Sequence, residues 1–183
     1  MSDPVSALSK AQFDGFAKIC EIGPLGMISL RAKPDADALA KAIKAATGTG
    51  VPAARRIALA GDRAAGWMSP DEYLLLMPYA DTTAAMAAIA MAMAAEHHLA
   101  AVVSDARAVF DVTGEKADHV LRKLMPVDFD TIEKDELRRS RAAQVAAAFW
   151  PIDGGFRVVC FRSSADYMFG LLAHSAKTGS ELA

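Results

Sequence analysis

A chain of 183 residues, 53% hydrophobic and 23% charged, is long enough to bury a core as one domain, or as two halves sharing one, without disulfide or metal staples. A formal net charge of −2 excludes nucleic-acid binding through broad phosphate neutralisation, which needs a basic face. The one basic run, Arg138-Arg139-Ser140-Arg141, sits beside Glu133, Asp135 and Glu136 and reads as solvated or partner-facing.

The two cysteines, Cys20 and Cys160, are far apart and lack the paired spacing of a zinc site, so both read as reduced, inert thiols. The N-terminal MSDPVSALSKAQF has no apolar run of the secretory kind, and a cytoplasmic location is expected. The alanine-rich stretch Thr82 to Ala95 is too short to span a membrane.

In chain order, residues 1–22 read as an N-terminal arm. Phe13, Phe16 and Ile19 recur at a spacing that fits a turn or two of helix. Gly23-Pro24-Leu25-Gly26 punctuates, and Met27 to Arg31 alternates apolar and polar as a half-buried strand does. Pro34 and Asp35 suit the start of a helix with Leu39 and Ile43 inward, and Gly48 supplies a left-handed exit. After a linker, Thr49 to Ala54, two short strands flank Gly61-Asp62. A turn at Ser69-Pro70-Asp71-Glu72 then leads into Tyr73 to Met77, whose continuous apolar run fits a strand buried on both faces. Thr82 to His98 reads as a helix with Met86, Ile89 and Met93 as its bulk, and Leu99 to Ser104 as a strand. The order is that of a ferredoxin-like βαββαβ unit.

A second series opens at Ala108 to Val112, a buried strand, followed by a Thr113-Gly114 turn. The helix expected from about Glu115 to Leu124 puts Ala117, Val120, Leu121 and Leu124 on one stripe. Pro126 stops it. Ala142 to Trp150 and Arg157 to Phe161 form a hairpin through Asp153-Gly154-Gly155. Ser163 or Ser164 caps a last helix with Met168, Leu171 and Leu172 inward, and 177–183 reads as a flexible tail. The fold class is α+β: two ferredoxin-like halves, about 23–104 and 105–176, interleaved in one domain spanning 23–176.

Two stretches also carry a resemblance. LRAKPDADALAKAIKAATGTGVP with GWMSPDEYLLLMP is similar to the N-terminal half of the gamma subunit of heterotetrameric sarcosine oxidase, and FDVTGEKADHVLRKLMPVDF, SRAAQV and AFWPIDGGFRVVCFRSSADYMFGLL to its C-terminal half. The resemblance runs from Gly26 to Leu172, and Trp67, Pro70, Asp71 and Glu72 are its most specific part. Tyr73 stands where that family usually has Trp, and Ser69 where it has Gly. The chain also resembles the wider folate-binding fold of glycine-cleavage aminomethyltransferases and of the N-terminal domain of a tRNA-modifying GTPase.

The resemblance implies a noncatalytic subunit of a complex that oxidatively demethylates sarcosine to glycine. Such a complex releases hydrogen peroxide and passes the one-carbon unit to tetrahydrofolate or frees it as formaldehyde. It further implies FAD, FMN, NAD and zinc on the other subunits, none on this chain, and alpha, beta and delta subunits as partners, mainly alpha.

The residues themselves offer little competing chemistry. Gly48-Thr49-Gly50 leads into Val51-Pro52 rather than a helix, so it is a linker and not a dinucleotide-binding turn. His97 and His98 are adjacent, not spaced as a helical metal pair, and suit a helix C-terminus, while His119 and His174 stand alone. Ser140 and Ser163 lie in no activated-nucleophile motif. Catalytic and metal residues are therefore left at none. The cofactor-binding candidate is Asp153, because folate-dependent transferases use an acidic residue in the corresponding hairpin, although an Asp-Gly turn also accounts for it. The alternative function is a stand-alone tetrahydrofolate-binding one-carbon transferase or adaptor, in which Asp153 or Asp111 would meet a pterin.

Overall fold

Residues 4–182 are described by the computed structural model of the chain. The first three residues of the expected arm and the last of the expected tail lie outside the described residues.

The chain opens not with helix but with a tight antiparallel hairpin, β1 (Gln12–Asp14) and β2 (Lys18–Glu21). Phe13 and Ile19 face each other across it, so the spacing that suggested helical turns is the spacing of a cross-strand pair. The turn before it is held by Glu21, buried at 3% exposure. Its carboxylate accepts from the Ser6 hydroxyl and from the Lys10 N–H, each at 2.8 Å.

Next come β3 (Gly26–Ala32), α1 (Asp37–Thr47), β4 (Ile57–Ala60), β5 (Arg63–Ser69), β6 (Glu72–Met77), α2 (Thr82–Ala92) and β7 (His98–Val102). Helix α1 starts two residues later than Asp35 suggests. Its N-cap is Ala36 with no side-chain bond, and Asp37 supplies the acid of the first turn. Gly48 ends it at φ 76°, donating its N–H to the Lys44 carbonyl at 2.8 Å. Helix α2 stops at Ala92, well short of His98, because Met93 leaves the helical region and is fully buried.

All pairings in this sheet are antiparallel, in the order β4-β5-β6-β3-β7. Strands β3, β5, β6 and β7 with α1 and α2 form the ferredoxin-like set, and β4 is added as the hairpin partner of β5. Ile28, Leu30, Leu39, Ile43, Leu75, Met77, Ile89 and Met93 make its core. Tyr73 to Met77 are all buried, so the reading of β6 as a strand covered on both faces holds.

The remaining elements are β8 (Arg107–Thr113), α3 (Ala117–Arg122), β9 (Arg138–Ala142), β10 (Val145–Ile152), β11 (Gly155–Phe161) and α4 (Ala165–Ser175). Their sheet runs β1-β2-β8-β11-β10-β9. Strand β2 pairs antiparallel with β8, Ile19 opposite Val112, so the N-terminal segment completes this second βαββαβ-like set from the other end of the chain. Ile19, Phe110, Val112, Val120, Leu121, Phe149, Val158, Met168 and Leu172 are its fully buried core.

The compact units are therefore 25–104 on one side and 4–24 with 105–182 on the other, an α+β arrangement interleaved along the chain. Ser164 precedes α4 after a 3-10 turn at Arg162–Ser164, and its side chain makes no capping bond. The tail is tied back at two places: Lys123 Nζ donates to the Ser175 carbonyl at 2.8 Å and also reaches Ser180, and the Leu182 N–H donates to His119 Nδ1 at 3.2 Å.

Candidate functional site

The strand-turn-helix stretch from β8 to α3 meets the β10–β11 hairpin end to end. Glycine makes this possible. Gly114, at φ 129°, donates its N–H to the Gly154 carbonyl at 3.0 Å, and Gly154 turns the hairpin at φ 73°. The two turns enclose an open hollow of about 640 Å³, lined by Thr113, Gly114, Glu115, Asp118, Gly155 and Phe156 among others.

Of its polar side chains, Asp118 is committed to a neighbour outside the lining. Asp118 accepts from Arg122 Nε at 2.8 Å, and Arg122 also reaches Asp130 at 2.5 Å. The hydrogen bonds it donates to Asp130 and, second, to Asp118 raise the Arg122 pKa above its ordinary value. The same hydrogen bond and charge hold Asp130 below the usual carboxylate range.

Neither sequence candidate lines this hollow. Asp111 sits opposite Arg157 in the β8–β11 register and is taken by it in a two-point pair, Nε to Oδ1 at 2.7 Å and Nη2 to Oδ2 at 2.9 Å. Asp153 is exposed at the tip of the hairpin. The structure does not bring the two together on a shared ligand-sized surface. Asp111→Asn is expected to cost about 2 kcal/mol, because the partly buried guanidinium loses its charged acceptor. The double variant with Arg157→Gln should recover most of that loss in urea unfolding, as coupled partners do.

The other unit explains the motif singled out by resemblance. Glu72 accepts from Ser29 Oγ at 3.2 Å and from Arg31 Nη2 at 2.9 Å. Asp71 accepts from the Ser69 hydroxyl at 2.9 Å, and its carbonyl takes the Ala32 N–H at 3.1 Å. Pro70-Asp71-Glu72 thus ties the β5–β6 turn to β3, and Trp67 packs against the core. Burial, with Asp71 second, pushes the Tyr73 hydroxyl pKa up.

A second hollow here, of about 340 Å³, is lined by Arg31, Lys33, Asp71, His97, His98 and Leu99 among others. The sequence reading placed His97 and His98 at a helix end. In the structure α2 has already ended, His98 opens β7, and its Nδ1 lies 2.9 Å from the Glu96 carbonyl. What joins them to Arg31 and Lys33 is the β3–β7 pairing, which no local spacing announces.

His119 packs edge-on against Phe16 at 6.5 Å, and His174 lies in the last turn of α4. Ser140 lies in β9 and Ser163 in the 3-10 turn before α4. Among the described residues, no group of three or more His, Cys, Asp and Glu is placed to hold a metal ion. No helix among them is long and apolar enough to cross a membrane.

Cys160 is buried in β11, and burial pushes its thiol up to about 11, with Arg107 pulling the other way. The fold therefore favours the protonated thiol. That stability is complete below the ordinary value of 9.0 and is lost as pH rises through about 11. Unfolding midpoints should fall across this window, and Cys160→Ala should flatten that part of the profile.

The comparisons with known proteins fit this picture. Residues 31–177 match the model of the "Sarcosine oxidase, gamma subunit family", a span that includes most of both units. No curated protein matches the sequence. Among solved structures, heterotetrameric sarcosine oxidase from Corynebacterium sp. U-96, in complex with pyrrole 2-carboxylate, superposes with TM-score 0.81 at 24% identity, covering 90% of this chain and 87% of that one.

The glycine cleavage system aminomethyltransferase T from Bartonella henselae superposes at 0.64 and 11% identity, over 86% of this chain and 45% of that one. The regulatory subunit of aspartate kinase from Thermus thermophilus, in its ligand-free form, gives 0.50 and 14%, over 90% and 99%. At these identities the structures speak for the fold, an α+β arrangement of two antiparallel sheets like that of the sarcosine oxidase subunit and the aminomethyltransferase. The family match, extending over most of the sequence, speaks for descent: the chain belongs to the sarcosine oxidase gamma subunit family.

Proposed function

We propose that this gamma subunit is a noncatalytic component of a cytoplasmic heterotetrameric sarcosine oxidase, packed against its alpha subunit and assembled with beta and delta. In this reading the oxidative demethylation of sarcosine to glycine occurs on the other subunits. Hydrogen peroxide is released there, and the one-carbon unit passes to tetrahydrofolate or leaves as formaldehyde. FAD, FMN, NAD and zinc also belong to those subunits.

The observation that carries the reading is the family match across residues 31–177. The disposition of the carboxylates supports it. Asp111 is held by Arg157 in the sheet, and Asp153 stands exposed at a hairpin tip and does not line the neighbouring hollow.

The test is assembly. The tagged chain, co-expressed with its neighbouring open reading frames, should purify as a yellow complex that turns over sarcosine, and Asp153→Asn should leave that turnover unchanged. A colourless lone protein with saturable tetrahydrofolate binding would overturn the proposal.

A further inference from the structure

Open sheets end in strands whose outer N–H and C=O groups lack a strand partner, and proteins blunt such edges with charge, brevity or proline. The two sheets end in β1 and β9, and in β4 and β7. Strands β1 and β4 are three and four residues long, and β9 carries Arg138, Arg139 and Arg141. Strand β7 has none of these guards. Its sequence, His98-Leu99-Ala100-Ala101-Val102, holds no acid, Lys, Arg or Pro, and Leu99 and Val102 are 60% and 50% exposed. Among the described residues it is the only helix or strand with two exposed large apolar side chains.

The β3 register tells which backbone groups are left over. The Val103 N–H donates to the Met27 carbonyl at 2.8 Å. Antiparallel bonding recurs at every second residue, so Leu99 and Ala101 bond toward β3 while His98, Ala100 and Val102 direct their N–H and C=O groups away from it. At the His98 end lies the hollow lined by Arg31, Lys33, His97 and His98. Its one carboxylate, Asp71, accepts the Ser69 hydroxyl, and Arg31 is paired with Glu72 at 2.9 Å, so Lys33 beside the two histidines gives the hollow its basic character.

We propose that the β7 edge receives an extended segment of another oxidase subunit, which adds as a strand and sets an acidic side chain into this basic hollow. The proposal rests on the gamma-subunit reading above. Strand addition takes its affinity from main-chain bonds and its selectivity from side-chain pockets, and here the pocket selects a carboxylate. A second copy of this chain, paired in register on Ala100, does not supply one. Antiparallel pairing through Ala100 sets Val102 and Val103 opposite His98 and His97, and parallel pairing sets histidine against histidine.

The experiment co-expresses the tagged chain with its neighbouring open reading frames as wild type, Ala100→Pro, Val102→Lys and Lys33→Glu. Ala100→Pro deletes an outward donor and no bond to β3, and Val102→Lys installs the missing guard. Both should cut the co-purified subunits about tenfold, equivalent to about 1.4 kcal/mol, with the isolated chains unfolding at the wild-type midpoint. Lys33→Glu should weaken recovery and make it less sensitive to salt. In the wild-type complex the amides of His98, Ala100 and Val102 should exchange about tenfold more slowly than in the isolated chain, and this reading decides the matter even if a variant fails to fold.

Wild-type recovery by both edge variants, or unchanged amide exchange, overturns the proposal and leaves the gamma-subunit reading standing. Self-association of the isolated chain that Val102→Lys abolishes, with the complex intact, makes a second copy the occupant and also overturns it. Failure of the wild-type chain to recover any subunit removes the gamma-subunit reading and this one with it.

Discussion

Gly155→Ala should destabilise the chain far more than Gly154→Ala, although the two glycines are adjacent. A Cβ built on Gly155 would stand 2.0 Å from the Val112 carbonyl oxygen and 2.9 Å from the Thr113 Cα. Both are backbone atoms of β8, the strand to which β11 is paired, and neither can swing aside as a side chain would. Relief requires the β8–β11 ladder to open where Gly155 faces Thr113. The expected cost is about 3 kcal/mol, the upper end for overpacking.

At Gly154 nothing lies within 4 Å, and only its φ of 73° resists a side chain. Such strain is worth about 1 kcal/mol. For a chain of this size the pair should separate in unfolding temperature by roughly 4–8 °C. Equal midpoints for the two variants would mean that β8 and β11 are not as close as described.

Phe149→Ala should be the most damaging truncation in the β1-β2-β8-β11-β10-β9 sheet and its helices. Phe149 is fully buried, stacks on Phe129 at 5.2 Å, and meets the edge of Phe156 at 6.1 Å. Phe129 and Phe156 are themselves edge to face at 5.5 Å, so the three rings close on one another. Removing the central ring forfeits its transfer free energy and leaves a cavity that two rigid rings cannot collapse to fill. The loss should be about 3–5 kcal/mol in urea unfolding. Phe161→Ala is the contrast. That ring is 49% exposed, with Arg107 4.1 Å above it, and its loss should stay near 1 kcal/mol. A Phe149→Ala effect no larger than that of Phe161→Ala would contradict the placement of the core.

These expectations concern elements that the sequence announces with unequal clarity. Tyr73 to Met77 is legible as a strand buried on both faces because it is apolar without interruption. The Asp153-Gly154 connection is legible because the turn needs a residue at positive φ. The unit from β8 to α3 is legible from its apolar spacing, though α3 is shorter than its stripe, ending at Arg122.

What was hidden is long-range. Nothing near Ile19 says that it pairs with Val112, and a hairpin of three and four residues leaves too short a pattern to tell from helix. The end of α2 was hidden for the opposite reason. Alanine favours helix all the way to Ala95, and only the burial of Met93 in a non-helical conformation stops it.

The same division holds for the surfaces. Pro70-Asp71-Glu72 was legible as a turn, whereas its bonds to Ser29, Arg31 and Ala32 came from sheet pairing. The hollow joining Arg31 and Lys33 to His97 and His98 draws on two segments that only the β3–β7 register brings side by side.

The most direct measurement is the absorbance spectrum and sarcosine turnover of whatever co-purifies with the tagged chain from cells expressing its neighbouring open reading frames. The account requires a flavin-coloured assembly that oxidises sarcosine with release of hydrogen peroxide and contains this chain in fixed proportion to the others. A chain that purifies alone and colourless, while its neighbours assemble and turn over sarcosine without it, would contradict its place as a subunit.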